Sequence, residues 1–319
     1  DLHLADIPSM ADLEEDLPDA DPPCENLEPI EPDLLLDRPG DAEYSAWMEW
    51  FAGGPMGFMW IGSTTIDSEI TQLIAVPIGL DGVLGEPMVT MEVPNGCGAW
   101  YDPVASDHYF FAFQDYRYEE STDLFLVRLT PETGSLDGPP LLISPGEISK
   151  KHGYQLLWHE GVLYALWGDG WGGPEEHLCL QSFDEDLNPL SEISILWTAD
   201  INGNQGDMAF IGDEGLLLWG ENGADHREDT YYLASISTSG DLLSQPVQIL
   251  FSSPEHQLGV AHILSTGSKY VVTYPEYIDG TSNANTILQL YDGSGLSLGS
   301  SIIIQEYFGY SYWNGEDIY

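Results

Sequence analysis

Short apolar runs separated by turn residues recur along the chain, and the segment 154–197 contains one complete set of them. The runs are too short, and too often interrupted by Gly and Pro, to be helices. The predicted strands are 154–158, 162–167, 177–183 and 192–197. Tight turns, such as His159-Glu160-Gly161, join them, so the pattern predicts a sheet of four antiparallel strands.

Two landmarks show that this unit is repeated. An aromatic residue closes the second strand, and Gly or Asn, which a left-handed turn position requires, lies between the third and fourth strands. The aromatic series is Trp60, Phe113, Trp167, Trp219 and Tyr274, and the turn series is Gly82, Gly134, Asn188, Gly240 and Gly295. Both series keep a spacing of 52 to 55 residues. Four strands repeated at this spacing predict an all-β β-propeller of four-stranded blades, with the aromatic series packed between blades.

The repeat predicts a spacer at residues 1–30 and a propeller at residues 31–319. The spacer is acidic and rich in Pro, so it is predicted to be disordered. We predict five full blades and a partial sixth, at about 44–91, 97–144, 153–197, 206–251, 259–304 and 308–319. Residues 31–36, which end in Leu34-Leu35-Leu36, are a candidate strand for closing the ring, with a coincidental apolar triplet as the alternative. The incomplete last blade leads us to expect a fragment of a longer propeller.

Acidic residues strongly outnumber basic ones. The chain has 319 residues, with 54 Asp and Glu against seven Lys and Arg, a formal charge of −47. Nucleic acid and anionic lipid are excluded as partners, because they require a basic surface. No run of 18 apolar residues predicts a transmembrane segment. The remaining partners are cations, basic proteins or neutral molecules such as glycans, and a surface that only keeps the protein soluble is the alternative.

Cysteine usage and sequence motifs exclude several chemistries. Cys24, Cys97 and Cys179 are far apart and form no CxxC pair, which excludes zinc-ribbon and thioredoxin sites. Cys179 alternates with apolar residues in a predicted strand and is expected to be buried, which leaves Cys24 with Cys97 as the one candidate disulfide. The sequence contains no Walker or HExxH motif, so nucleotide and zinc-protease sites lack their residues, and it contains no EF-hand loop.

An acidic residue recurs two positions after the aromatic landmark. The series is Asp115, Asp169, Glu221 and Glu276, and Gly62 interrupts it in the first unit. Long loops are predicted to follow the second strands, around 115–122, 168–176, 220–229 and 275–285. Such loops lie together on one face of a propeller and commonly form its binding surface. Three interpretations of the carboxylates stay open: a solvated rim, a Ca²⁺ site, or acid and base for glycoside hydrolysis, with Asp169 and Glu221 the first pair to test.

Four aromatic residues near these loops have no evident core role. They are Tyr116, Tyr118, Trp171 and Tyr277. Exposed aromatic rings suit stacking on a sugar or anchoring a protein partner, and packing within the loop is the alternative. The segment 225–229 has one His among acidic residues, and a solvated loop is favoured over a metal site there.

The strand ends Trp167-Gly168-Asp169 and Trp219-Gly220-Glu221 and the turn SGDLL at 239–243 resemble repeat propellers of exported bacterial proteins. The resemblance covers roughly residues 31–319 and implies a secreted or cell-surface location, with an upstream lipid anchor as one alternative. Sialidases and fucose-binding lectins fit less well, because their sites use arginines, which are scarce here. The main prediction is a non-catalytic binding or scaffold propeller that engages a protein or glycan through its long-loop face. The alternatives are a carbohydrate-active hydrolase using the rim carboxylates and a calcium-stabilised surface protein.

Overall fold

A computed structural model describes most of the repeat region. The described residues are 49–67, 70–94, 98–99, 104–118, 121–143, 151–170, 176–199, 206–221, 230–251, 256–278 and 284–304. They all belong to one compact unit, Tyr44–Tyr319. The predicted spacer at 1–30, the candidate strand at 31–36, the partial blade at 308–319, Cys24 and Cys97 lie outside the described residues. No helix in the described part of the chain is long and apolar enough to cross a membrane.

The described residues form five antiparallel sheets that follow one another along the chain. Blade 1 contains β1 (Glu49–Gly54), β2 (Gly57–Asp67), β3 (Ile70–Gly79) and β4 (Met88–Pro94). Blade 2 contains β5 (Gly98–Ala99), β6 (Val104–Ala105), β7 (Tyr109–Tyr118), β8 (Ser121–Leu129) and β9 (Leu141–Leu142). Blade 3 contains β10 (Lys151–His159), β11 (Val162–Asp169), β12 (Glu176–Phe183) and β13 (Ser194–Ala199). Blade 4 contains β14 (Gly206–Ile211), β15 (Glu214–Glu221), β16 (Thr230–Ser237) and β17 (Val247–Phe251). Blade 5 contains β18 (His256–Leu258), β19 (His262–Ser265), β20 (Tyr270–Ile278), β21 (Ala284–Tyr291) and β22 (Ile302–Ile304).

Four apolar clusters join these blades in consecutive pairs, and we call each cluster a seam. The seam between blades 3 and 4 includes Tyr164 and Leu178 from one sheet and Leu217 and Ala234 from the other. Equivalent seams join blades 1 and 2, blades 2 and 3, and blades 4 and 5. First strands of consecutive blades also contact each other, β10 with β14 and β14 with β19. Sheets that stack face to face in chain order, with their first strands innermost, confirm the predicted propeller.

The aromatic landmarks fill these seams. Phe113, Trp167 and Trp219 are each at most 3% exposed and pack in the seams that follow blades 1, 2 and 3. Trp60 and Tyr274 are half-buried. The predicted core role is therefore confirmed most fully in the middle of the repeat, where large flat rings cover the apolar face of the next sheet.

The turns between third and fourth strands confirm the second landmark in four blades. Positive φ angles of 76°, 69°, 87° and 78° occur at Gly82, Gly134, Gly240 and Gly295. In blade 3 the prediction is wrong: the positive φ, 62°, belongs to Leu187 and not to Asn188. The turn itself is the same as in blade 5: Asp184 accepts the Asn188 backbone N–H at 2.8 Å as Asp292 accepts that of Leu296 at 3.0 Å. Leu187 therefore takes the place of the glycine, one residue before the predicted position. Leu187 packs against the seam between blades 2 and 3, and this burial offsets the strained backbone.

The ends of β7, β11, β15 and β20 lie on one face, which we call the upper face, because the second strands of all blades run in the same direction. Six, eight and five residues separate the second and third strands of blades 3, 4 and 5. The predicted long loop at 115–122 is wrong, because β7 continues to Tyr118 and β8 begins at Ser121. Backbone pairing of Tyr118 with Ser121 extends the hairpin there, and aromatic residues favour strands even in a polar segment.

Candidate functional site

The predicted acidic series lies where the second strands reach the upper face. Asp169 and Glu221 are the last residues of β11 and β15, and Glu276 lies near the end of β20. All three are half-buried. Asp115 lies in β7, and its side chain is outside what the structure describes. Trp171 is also outside the described residues.

Three of the four predicted binding aromatics lie in strands, so their predicted position in loops is wrong. Tyr116 and Tyr118 belong to β7, and their side chains are outside what the structure describes. Tyr277 belongs to β20, pairs with Ala284 of β21 and is half-buried. Strand propensity and backbone pairing outweighed the polar character of these segments. A binding role for these residues stays a prediction.

Each carboxylate belongs to a different seam, because side chains two apart on a strand share a face. Asp169 lies on the same strand face as Trp167, which packs in the seam between blades 2 and 3. In the same way Glu221 shares a face with Trp219, in the seam between blades 3 and 4. Glu276 shares a face with Tyr274, in the seam between blades 4 and 5. Within the described ranges no three His, Cys, Asp or Glu residues lie close enough to hold a metal ion. The Ca²⁺ site predicted for Asp115, Asp169, Glu221 and Glu276 therefore stays a prediction, since the Asp115 side chain is outside that description.

Glu221 accepts a hydrogen bond from the neighbouring blade. The indole Nε1 of Trp197, on β13 of blade 3, donates to Glu221 Oε1 at 2.6 Å. Tyr232, on β16, interacts electrostatically with the same carboxylate. Burial first, and then the charge of Glu221, raise the pKa of Tyr232, so the phenol stays protonated.

Trp197 and Tyr232 pack in one aromatic group with Trp219. The rings of Trp197 and Trp219 lie 5.5 Å apart and are tilted by 49°. Tyr232 stacks on the other side of Trp219, with centroids 5.7 Å apart. Because Trp219 is fully buried, the group has little freedom to move, and the orientation of Glu221 is set by the seam between blades 3 and 4.

A second polar series, which sequence reasoning missed, links the innermost strands. Gln155 Oε1 accepts the Met208 backbone N–H at 2.8 Å, and Gln155 Nε2 donates to the Met208 carbonyl at 3.0 Å. Asp207 Oδ2 accepts the Ile263 backbone N–H at 3.0 Å and lies 3.3 Å from His262 Nδ1. Gln155, Asp207 and His262 each precede the aromatic landmark of their blade by 12 residues, so the repeat spacing could have revealed them.

The arginine most enclosed by acidic groups is not available to an anionic ligand. Arg128 on β8 contacts Asp186 Oδ1 at 2.7 Å and Asp137 Oδ2 at 3.0 Å. His108 also contacts Asp137, at 3.3 Å, and Glu185, at 3.2 Å. These groups join blades 2 and 3 away from the upper face, so the network is structural.

Comparisons with known proteins show the fold. No protein-family model matches the chain, and no curated protein matches it in sequence. A thermostable family-43 glycoside hydrolase is similar in structure, with 8% identity, a TM-score of 0.50 and coverage of 82% of this chain and 94% of that chain. An α-L-arabinofuranosidase from Lactobacillus brevis has 10% identity, a TM-score of 0.48 and coverage of 82% and 95%. A subtype N10 neuraminidase-like protein from a little yellow-shouldered bat has 12% identity, a TM-score of 0.47 and coverage of 79% and 80%.

These comparisons correct the main function prediction. The non-catalytic binding or scaffold propeller is wrong as the leading interpretation, because the solved structure that is similar to this chain at a TM-score of 0.50 is a glycoside hydrolase. At 8% identity the similarity establishes only that the chain is an all-β propeller of four-stranded blades.

Proposed function

We propose that the protein is a carbohydrate-active hydrolase whose working carboxylates lie on the upper face. The observation that carries this proposal is Glu221, a half-buried carboxylate at a strand end that the Trp197 indole of the neighbouring blade holds through a hydrogen bond of 2.6 Å. Glycoside hydrolysis uses two carboxyl groups, one to protonate the leaving oxygen and one as base or nucleophile. A fixed carboxylate meets the geometric demand of that chemistry, and the fold of the family-43 hydrolase supports the choice.

Asp169 is the proposed partner of Glu221. It ends β11 as Glu221 ends β15, so the two residues occupy equivalent strand ends of neighbouring blades on the upper face. The substrate class follows from charge: a chain with a formal charge of −47 repels anionic glycans and accepts neutral ones. The acidic balance also supports the proposal of a secreted or cell-surface protein, where a neutral polysaccharide would be met.

The test measures release of reducing sugar from a panel of neutral polysaccharides and chromogenic aryl glycosides. Glu221→Gln and Asp169→Asn are each expected to lower kcat about 100- to 10,000-fold, which is the usual contribution of a positioned acid or base. Asp213→Asn is the matched control, because Asp213 is an exposed carboxylate at the opposite end of blade 4. Wild-type protein that hydrolyses no glycan in the panel would contradict the proposal. Full activity of Glu221→Gln would contradict the assignment of the residue.

A further inference from the structure

The repeat allows each residue around Glu221 to be compared with its counterparts in other blades. In every blade the aromatic landmark pairs with one residue of the third strand, and the residue before that partner faces the fourth strand. In blade 3 the landmark Trp167 pairs with Cys179, and Leu178 before it pairs with Trp197. In blade 4 the landmark Trp219 pairs with Tyr232. Trp197 and Tyr232 therefore occupy defined repeat positions.

The position of Trp197 is aliphatic in the other four blades. The counterparts are Met88 opposite Ala75, Ile143 bonded to Leu124, Leu250 opposite Tyr231, and Ile304 opposite Thr286. An indole donor at this position therefore occurs in blade 3 alone among the described blades. That position is the one from which a residue can reach the carboxylate of the following blade, as Trp197 does.

The position of Tyr232 shows the same departure. Its counterparts, which pair with the landmarks of the other blades, are Val76, Phe125, Cys179 and Ile287. None of them carries a hydroxyl group. Two positions thus depart from the repeat by gaining a group that can donate a hydrogen bond. The indole of Trp197 donates to Glu221, and Tyr232 stacks on the adjacent Trp219.

Seam stability alone does not require this arrangement. Apolar residues at both positions complete the other seams, and a polar group in such a place costs free energy unless it is bonded. We propose that Trp197, through its hydrogen bond to Glu221, and Tyr232, through its hydroxyl group, are positioning residues that fix the Glu221 carboxylate for the reaction. This inference rests on the proposed function.

The test compares kcat and KM of variants that remove one donor and keep the ring. Trp197→Phe and Tyr232→Phe are each expected to lower kcat roughly 10- to 100-fold with little change in KM or melting temperature, because a small displacement of a catalytic group has an effect of that size. Trp158→Phe is the control, since it removes another indole N–H from blade 3 where the ring stacks on Phe110 at 5.4 Å. In a Glu221→Gln background, Trp197→Phe is expected to have no further effect on kcat.

A second measurement detects the contact without activity. In ¹⁵N-labelled protein, Glu221→Gln is expected to shift the Trp197 indole N–H resonance, and Asp213→Asn is expected to leave it in place. An unshifted resonance would overturn the inference. Wild-type hydrolysis with unchanged kcat in both Phe variants would also overturn it, while the proposed function would stand. Wild-type protein that hydrolyses no glycan would overturn the proposed function and this role together.

Discussion

The links between innermost strands lead to a quantitative prediction about stability. Asp207 is 9% exposed, and its carboxylate accepts the backbone N–H groups of Ile263 at 3.0 Å and Met208 at 2.9 Å. Replacing Asp207 with Ala removes both acceptors. Met208 N–H keeps a partner, because Gln155 Oε1 also accepts it at 2.8 Å. Ile263 N–H loses the bond that joins blade 5 to blade 4.

The magnitude follows from that single orphaned donor. A buried N–H without a partner costs about 1–3 kcal/mol, and we therefore expect Asp207→Ala to lower the free energy of unfolding by about 2 kcal/mol. A loss of this size lowers the melting temperature by roughly 3 °C, because the entropy of unfolding grows with chain length. Asp207→Asn retains one side-chain oxygen that can accept the Ile263 backbone N–H, so its free energy of unfolding is expected to fall by less.

Urea unfolding followed by tryptophan fluorescence and by circular dichroism measures this change. Asp213→Ala is the control, because it removes an exposed carboxylate from the same blade. A loss below about 0.5 kcal/mol for Asp207→Ala, which is the range of ordinary surface substitutions, would refute the argument that the link stabilises adjacent blades.

Two further predictions concern burial and pH. Trp219→Ala is expected to destabilise the protein by about 3–5 kcal/mol in urea unfolding, because Trp219 is fully buried. Trp60→Ala should destabilise it less, because Trp60 is half-buried. Equal losses of stability would contradict this ranking. Hydrogen bonds from Asn188, first from its side chain and then from its backbone, lower the pKa of Asp184 below 3.8. The carboxylate therefore stabilises the fold above pH 3.8, and this contribution is lost as pH falls through the lower pKa of the folded state. The difference in stability between wild type and Asp184→Ala should shrink below about pH 3.8. A difference that stays constant with pH would contradict the assignment.

The architecture could be predicted from local patterns, but bonds between blades could not. Spacing of the aromatic and turn residues predicted four strands per blade, because turn chemistry and apolar runs act over a few residues. Boundaries were less accurate: the segment through Tyr116 and Tyr118 contains charged residues and was predicted as loop, yet it pairs as a strand. Asn188 was predicted at a left-handed position that Leu187 occupies, because Leu gives no local signal for a positive φ.

The sequence by itself determined the fold class, the repeat and the strand ends at which carboxylates recur, since all of these follow from periodicity along the chain. Tertiary structure alone decided that the carboxylate of Glu221 meets the indole of Trp197. Trp197 and Glu221 are 24 residues apart and belong to different blades, so only the stacking of sheets brings the indole N–H within 2.6 Å of the carboxylate. A donor and an acceptor on separate blades leave no periodic pattern, because their pairing departs from the repeat that made the fold predictable.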